Sequence, residues 1–542
     1  MNLHDLPEDI LICIIKATAH AYIHEAGRWG SSLTLLAVCR TWRQLGRPLI
    51  YGGLYVHYSD SDVGIRTTDD DVVIDGPASG RLMTNADLVA AVGAVDHVKY
   101  IDIAISCIAE PLQALGHALD VLEGVSHRWP AARKVALDIH HAEGDQGSHG
   151  IGGARCEASI QQTASRFASL LPSVRRLIFD GHPLLVTKTL YGRLASAYAS
   201  QLQSLDSKLT MVLPDGQALV NLSVLSIDFG SGRSCLIPRV ATDALGSLSL
   251  SGIPDYDVWL SFADGPHATE AVFANLKHLS ISYGFGVFDG AESARPSHIK
   301  LAFPRLKSLT IKNVYSHCPV IAHGVFPLQL DLLDAECSSA IFGLLGRVRF
   351  RAIRKTVISA ICDDATLLGV LPEISRIAAV TSSSITSKLS VISGQLDARD
   401  VNVDWRGISA LHILASASFP AVLTIIARAP MLRELMVHDL MLDGTGTHDT
   451  AQPLADPQHA LPPCIDVKLT HLLLSYRRHM FPVESAVAAV RYLALHMPLL
   501  KRLTAWYVPP AAISEFVEEH SVRYPHLKNI EFVFEDADWA SA

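Results

Sequence analysis

The chain has 542 residues, 49% of them hydrophobic and 18% charged. That balance excludes disorder and supplies more apolar surface than one ordinary core uses, so several domains or a repeat array is expected. The formal net charge is -9, and no clustered Lys/Arg face marks a nucleic-acid footprint. The most basic stretch, Arg347–Lys355, alternates basic with apolar residues and reads as a strand with one solvated side. The nine cysteines are scattered without a C-x-x-C pair, which reads as reduced core thiols of a soluble cytoplasmic or nuclear protein. No apolar run reaches the ~20 residues that cross a bilayer, so no membrane partner is expected.

In chain order, Asp5 can cap a first helix, Pro7 suits its first turn, and Glu8 and Asp9 complement its dipole. Ile10, Leu11, Ile14 and Ile15 then give that helix one apolar face. Ser32 caps a second amphipathic helix over Leu33–Leu45, whose face carries Leu35, Leu36, Cys39 and Trp42. Pro48 ends it, and Leu54–Tyr58 reads as extended. A module of this size buries little alone and packs on a partner or on its own chain.

Leu6-Pro7 opening a helix with Asp9-Ile10-Leu11, then Leu35-Leu36-x-Val38-Cys39-Arg40-x-Trp42-Arg43 and the exit Pro48-Leu49-Ile50-Tyr51, resembles an F-box of fungal type. The resemblance implies a helical module that docks on the Skp-type adaptor of a cullin–RING ubiquitin ligase. It implies adaptor contacts at Leu6, Pro7, Ile10, Leu11 and Ile14 on the first helix, and at Leu36, Val38, Cys39 and Trp42 on the later one. Lys16–Ser32 is about ten residues longer than the compact pattern, an insertion that loop-closure entropy tolerates.

Beyond this module (residues 1–57) and a polar linker or irregular first repeat (58–94), one pattern recurs over 95–542. It is an apolar residue, often Pro, any residue, Leu, a basic residue, any residue, Leu, any residue, Ile or Leu. It stands as Phe273–Ile281 (FANLKHLSI) and Phe303–Ile311 (FPRLKSLTI), and again from Leu171, Pro430, Met497 and Tyr524. The closing alternation reads as a short strand with both apolar residues on one side. Helical spacing fills the intervals at Pro111–Trp129, Ser159–Leu171, Leu184–Leu205, Ala365–Ile377 and Val483–Met497. The expected fold is α/β, an irregular solenoid resembling leucine-rich repeats, with parallel strands on one side and helices or loops on the other. A doubly wound βαβ domain is the alternative. Leucines 177, 279, 309, 435 and 503, with Ile530, are expected at equivalent buried strand positions.

No phosphate loop, nucleophile elbow or paired metal-ligand spacing occurs. His140, His141, Glu143, Asp145 and His149 read as a solvated Gly-rich loop rather than a metal site, and no cofactor or catalytic residue is expected. The chain therefore reads as a non-enzymatic, two-part binding protein. The module engages the adaptor and through it cullin and RING subunits, while the array selects a target protein. A repeat scaffold with no ligase role is the alternative. Target contacts are expected at outward strand positions: Lys277, His278, Lys307, Ser308, Arg502 and Lys528.

Overall fold

A computed structural model describes residues 52–59, 81–107, 111–141, 153–181, 184–209, 211, 218–229, 239–253, 258–259, 262, 270–283, 300–314, 318–338, 344–345, 348, 350–363, 376–377, 381–393, 395–396, 405, 408–442, 468–475, 483–506 and 508–535. The adaptor contacts expected at Leu6, Pro7, Ile10, Leu11, Ile14, Leu36, Val38, Cys39 and Trp42 lie outside the described residues. The protein is mixed α/β, and the chain divides into two compact units, Met1–Pro266 and His267–Ala542.

The first unit contains strands β1 (Gly53–Ser59), β2 (Arg81–Thr84), β3 (Tyr100–Cys107), β4 (Lys134–His141), β5 (Arg176–Gly181), β6 (Ser204–Ser207), β7 (Ala218–Leu219), β8 (Val224–Asp228), β9 (Arg239–Val240) and β10 (Ser247–Ile253). Its helices are α1 (Ala86–Ala91), α2 (Pro111–Val125), α3 (Gly153–Leu170) and α4 (Leu185–Ala197). Strands β1, β3, β4, β5, β6, β8 and β10 pair in that order, all parallel. Helical periodicity runs on to Leu205, but α4 stops at Ala197 because Leu205 is claimed by β6.

The second unit begins with β11 (Glu270–Val272), β12 (His278–Tyr283), β13 (Lys300–Ala302), β14 (Ser308–Val314), α5 (Pro319–His323) and β15 (Gly324–Val325). It continues through β16 (Gln329–Ser338), β17 (Ala352–Asp363), β18 (Thr381–Ser393), β19 (Gln395–Leu396), β20 (Ala410–Ser418) and α6 (Phe419–Arg428). Last come β21 (Glu434–Met441), β22 (His471–Leu474), α7 (Val483–His496), β23 (Arg502–Trp506), α8 (Pro510–His520) and β24 (Glu531–Glu535). Strands β12, β14, β16, β17, β18, β20, β21, β22, β23 and β24 again pair parallel in chain order. Among the described residues no helix is long and apolar enough to cross a membrane.

The recurring motif has a local physical cause. Its first apolar residue accepts a hydrogen bond three residues on, closing a tight turn, as in Leu306 N–H to Phe303 O (3.3 Å), Leu500 N–H to Met497 O (3.1 Å) and Ala132 N–H to Trp129 O (3.2 Å). Pro304, Pro498 and Pro130 stand at the second turn position, where a fixed φ is pre-set for such a turn. The residue closing the turn is buried, and the next is exposed. The carbonyl of that exposed residue then accepts two N–H groups from the following copy. Lys99 O takes Arg133 N (2.9 Å) and Lys134 N (3.1 Å), and Lys277 O takes Lys307 N (2.8 Å) and Ser308 N (2.9 Å). Each copy thus enters the sheet through the same corner, with few backbone groups left unpaired.

Past the corner, strand alternation sends every second side chain inward. In the first unit Leu54, Ile101, Val135, Leu177, Leu205, Leu225 and Leu248 face one another in register, each no more than 1% exposed. Burying one such side chain contributes about 2–3 kcal/mol before conformational entropy is counted. A second inward row holds Val56, Ile103, Leu137, Phe179, Ser207, Ile227 and Leu250. Ser207 fits there because its hydroxyl donates to Leu209 O at 2.6 Å. In the second unit Phe273, Phe303, Phe326 and Phe350 line up beneath the turns, with ring centroids 5.2, 5.5 and 6.3 Å apart.

Three expectations need correction. Leu279 and Leu309 share one register row, but Leu435 and Leu503 fall in the row of Ile281 and Ile311, one inward step along. Ile530 is not a strand residue. A 3-10 turn over Pro525–Asn529 delays the strand, so Phe532 takes the place opposite Leu503. In the basic stretch the strand starts only at Ala352, and Arg354 and Lys355 are both exposed beside buried Ile353.

The outer edge of β1 is closed twice. β2 pairs antiparallel with Val56–Ser59. Lower on the strand, the buried Asn85 side chain accepts from Tyr55 N at 2.9 Å and donates to Gly53 O at 3.1 Å. An edge that would otherwise present unpaired backbone groups is thereby satisfied.

Candidate functional site

With one sheet face given to the leucine rows, the alternate residues form an outward face. In the first unit its lower row, at the strand starts, reads Gly53, Tyr100, Lys134, Arg176, Ser204 and Val224. The middle row reads Tyr55, Asp102, Ala136, Ile178, Asp206 and Ser226. The upper row holds His57, Ala104, Asp138 and Asp180, with Asp228 further along the sheet. Lys134 and Arg176 thus sit low on this face, while the upper row mixes the carboxylates of Asp138 and Asp180 with His57.

The two charge types interact. The Lys134 ammonium lies 4.4 Å from the centre of the Tyr100 ring, and Tyr100 meets Tyr55 edge to face with centroids 6.2 Å apart. His140 Nε2 lies 2.9 Å from Asp138 Oδ1, and the Lys208 ammonium is paired with Asp180. Asp138 and Asp180 are direct cross-strand partners, an arrangement that repels when both are ionised. Burial raises the Asp138 carboxyl above the ordinary aspartate range; His140 pulls it down, while Asp180 and Asp102 push it further up. Burial also raises Asp102, against the opposing pull of the Tyr100 hydroxyl, His57 and Lys134. Burial, with Asp102 beside it, raises the Tyr100 phenol.

Beneath this face the side chains pack closely. Tyr191 on α4 is fully buried and stacks on Phe179 with ring centroids 4.2 Å apart. Its hydroxyl donates to Asp180 O at 2.6 Å. At the end of β5, Gly181 has φ +120°, and a Cβ there would lie 2.1 Å from Ile139 O. Only glycine lets the chain leave the sheet so close to its neighbour's backbone.

Of the six expected target contacts, Lys277, His278, Lys307 and Ser308 are brought together at adjacent strand starts in the second unit, His278 opposite Ser308. Arg502 and Lys528 are not with them. Arg502 begins β23, seven ladder steps from β14, about 34 Å along the sheet at ~4.8 Å a step. There its Nε lies 4.0 Å from Glu531 Oε2, while Lys528 is exposed in the turn before β24. Thr504, outward by alternation, is only 5% exposed.

The aspartates of the first unit were not among the expected contacts. Their signal in the sequence is an Asp after or between apolar strand residues, in Ile101-Asp102-Ile103, Leu137-Asp138-Ile139, Phe179-Asp180, Leu205-Asp206 and Ile227-Asp228. It is weak because each copy shifts the Asp by two positions or not at all. Of the stretch read as a solvated Gly-rich loop, His140 and His141 instead end β4, and His140 engages Asp138. Among the described residues no group of three or more His, Cys, Asp or Glu is arranged to hold a metal ion. A small void under β21–β23 is lined wholly by Leu, Ala and Val side chains, among them Leu440, Leu474 and Val490. It offers no polar group to orient a ligand.

No protein-family model matches the chain, and no curated protein matches it.

Proposed function

We propose that the protein is a non-catalytic substrate-recognition subunit of a cullin–RING ubiquitin ligase. Its F-box-like N-terminal module would dock on a Skp-type adaptor, and the outward face of its leucine-rich-repeat-like strands would hold a target protein. The mechanism is proximity: a target bound beside the charged conjugating enzyme reacts at a raised effective concentration, with no bond chemistry asked of this chain.

The observation that carries the reading is the division of labour across the parallel strands. One side is filled by register-matched leucines and isoleucines. The other presents half-buried polar side chains over many strands, Tyr55, Tyr100, Asp102, Lys134 and Asp138 among them in the first unit and Ser280, Ser308, Thr310, Asp334 and His412 in the second. Such a face is broad, polar and shallow, which suits a protein surface better than a small substrate.

The adaptor half of the proposal is tested by co-expressing the full chain with a Skp-type adaptor. The wild-type chain should co-purify with it, and Ile10→Asp should abolish the complex while the thermal unfolding midpoint stays put. A complex that survives Ile10→Asp would overturn the F-box reading. A chain that never binds the adaptor yet holds a target would be a scaffold instead.

A further inference from the structure

We propose that the basic corner shared by β3, β4 and β5, at the foot of the outward face, binds an acidic extended segment of a partner protein. This deepens the reading above, since it names the chemistry of the target, and rests on that reading's claim that the strand face is the recognition surface.

Stacking brings together cations that the sequence keeps apart. The corner ladder of the first unit runs Gly52, Lys99, Arg133, Arg175, Gln203 and Ser223, each carbonyl accepting two N–H groups of the next copy. The row of strand starts beside it runs Gly53, Tyr100, Lys134, Arg176, Ser204 and Val224. Lys99, Arg133, Lys134, Arg175 and Arg176 thus fall on three consecutive copies, and neither row holds an Asp or Glu. From Lys99 to Arg175 is two ladder steps, about 10 Å at ~4.8 Å a step. Two glycines bound the cluster on one side, Gln203 and Ser204 on the other.

This charge is not matched within the chain. Lys99, Arg133, Arg175 and Arg176 are exposed, and among the described residues none of them pairs with a carboxylate. Arg133 Nη1 donates to a neutral acceptor, Ser173 O, at 3.3 Å. Only Lys134 is engaged, with its ammonium 4.4 Å from the centre of the Tyr100 ring and its charge acting on Asp102. Lys134 and Arg176 are direct cross-strand partners, a like-charge pair that repels and that a carboxylate set between them would relieve. The cluster is a local excess of positive charge on a chain whose formal net charge is -9.

The geometry favours a short acidic segment over a long polyanion. The planar fork of an arginine takes a carboxylate through two parallel hydrogen bonds, and Arg133, Arg175 and Arg176 present that fork on neighbouring copies. About 10 Å is the span of roughly three extended residues, so carboxylates on alternate residues cover it. The corner backbone is already hydrogen-bonded, so binding has only long side chains to order. Duplex nucleic acid is the poorer fit: salt-sensitive binders make roughly six to ten phosphate contacts, against the exposed Lys99, Arg133, Arg175 and Arg176 here. The net charge of -9 also opposes the approach of a long polyanion.

The test uses the full chain and a tetramethylrhodamine-labelled peptide of about eight residues in which glutamate alternates with serine. The controls are a peptide with lysine in place of glutamate and a single-stranded oligonucleotide of equal length. Fluorescence anisotropy should show binding of the glutamate peptide that weakens as salt is raised, none of the lysine peptide, and weaker binding of the oligonucleotide. The double variant Arg175→Gln, Arg176→Gln should weaken glutamate-peptide binding about fivefold or more without lowering the unfolding midpoint. Lys188→Gln on α4, which removes a charge away from the corner, should leave the affinity as it was. If the double variant fails to fold, Arg176→Gln alone should weaken binding about twofold or more. Equal binding of the two peptides, unchanged affinity in the corner variants, an equal loss in Lys188→Gln, or no glutamate-peptide binding at all would each overturn the proposal. Tighter binding of the oligonucleotide would overturn it in favour of a nucleic acid. Adaptor co-purification is scored in parallel. A chain that forms the adaptor complex but ignores the glutamate peptide loses this inference and keeps the ligase reading; one that binds the peptide but not the adaptor does the reverse.

Discussion

Leu177→Ala offers a sharp test of the buried register row. Leu177 is fully buried on β5, between Val135 of β4 and Leu205 of β6, both also fully buried. Truncation removes three carbons, which at ~0.8 kcal/mol each is about 2.4 kcal/mol of transfer free energy. The flanking side chains are held by their own strands and cannot close the gap, so a residual cavity at ~24 cal/mol per Å³ adds about 1–2 kcal/mol. A loss of roughly 3–4 kcal/mol is expected. The neighbouring residue supplies the control: Ile178 points to the outward face and is only half-buried, so Ile178→Ala should cost about 1 kcal/mol or less. Urea unfolding followed by circular dichroism reads both, with the midpoint falling far more for Leu177→Ala at an unchanged m-value. Equal losses for the two variants, or a loss under ~1 kcal/mol for Leu177→Ala, would refute the assignment of inward and outward faces.

Two further outcomes follow from the first unit. Gly181→Ala should destabilise by roughly 2–4 kcal/mol, because φ is +120° and the new Cβ would meet Ile139 O at 2.1 Å; Gly116→Ala, in α2 with nothing within 4 Å, should instead be neutral or stabilising by up to ~1 kcal/mol in the same assay. Asp138 has a folded pKa above the ordinary aspartate value of 3.8, so the folded state holds its proton more tightly than the unfolded chain does. Its contribution to stability therefore falls as pH rises above that ordinary value, and levels off once the folded pKa is passed. Asp138→Asn should match the wild-type chain in acid and gain on it towards neutral pH in unfolding midpoints taken across the range; a gap that widens towards acid instead would contradict the assigned environment.

What the sequence determined by itself was the short-range part of each copy. Phe303-Pro304-Arg305-Leu306 closes a turn, Lys307 makes the corner, and Leu309 and Ile311 alternate inward. All of this rests on contacts within a few residues and on a neighbouring copy of the same kind, so periodicity and turn chemistry were enough to read it. Helices α2, α3, α4 and α7 were legible for the same reason, with the end of α4 misjudged because a strand claimed Leu205; α6 and α8 were not foreseen, and the helix read at Ala365–Ile377 lies outside the described residues but for its last two.

Register was decided elsewhere. The turn at Pro525–Asn529 displaces Ile530 and puts Phe532 opposite Leu503. Local spacing is blind to such a shift, because the two inward residues of each strand are interchangeable in pattern. The outward face lay still further out of reach. Asp102, Asp138, Asp180, Asp206 and Asp228 are dozens of residues apart along the chain, with whole helices between most of them. They become neighbours only because parallel pairing stacks copy on copy. Local chemistry set how each copy folds; the stacking of copies alone decided which side chains share a surface, and with it where a partner would bind.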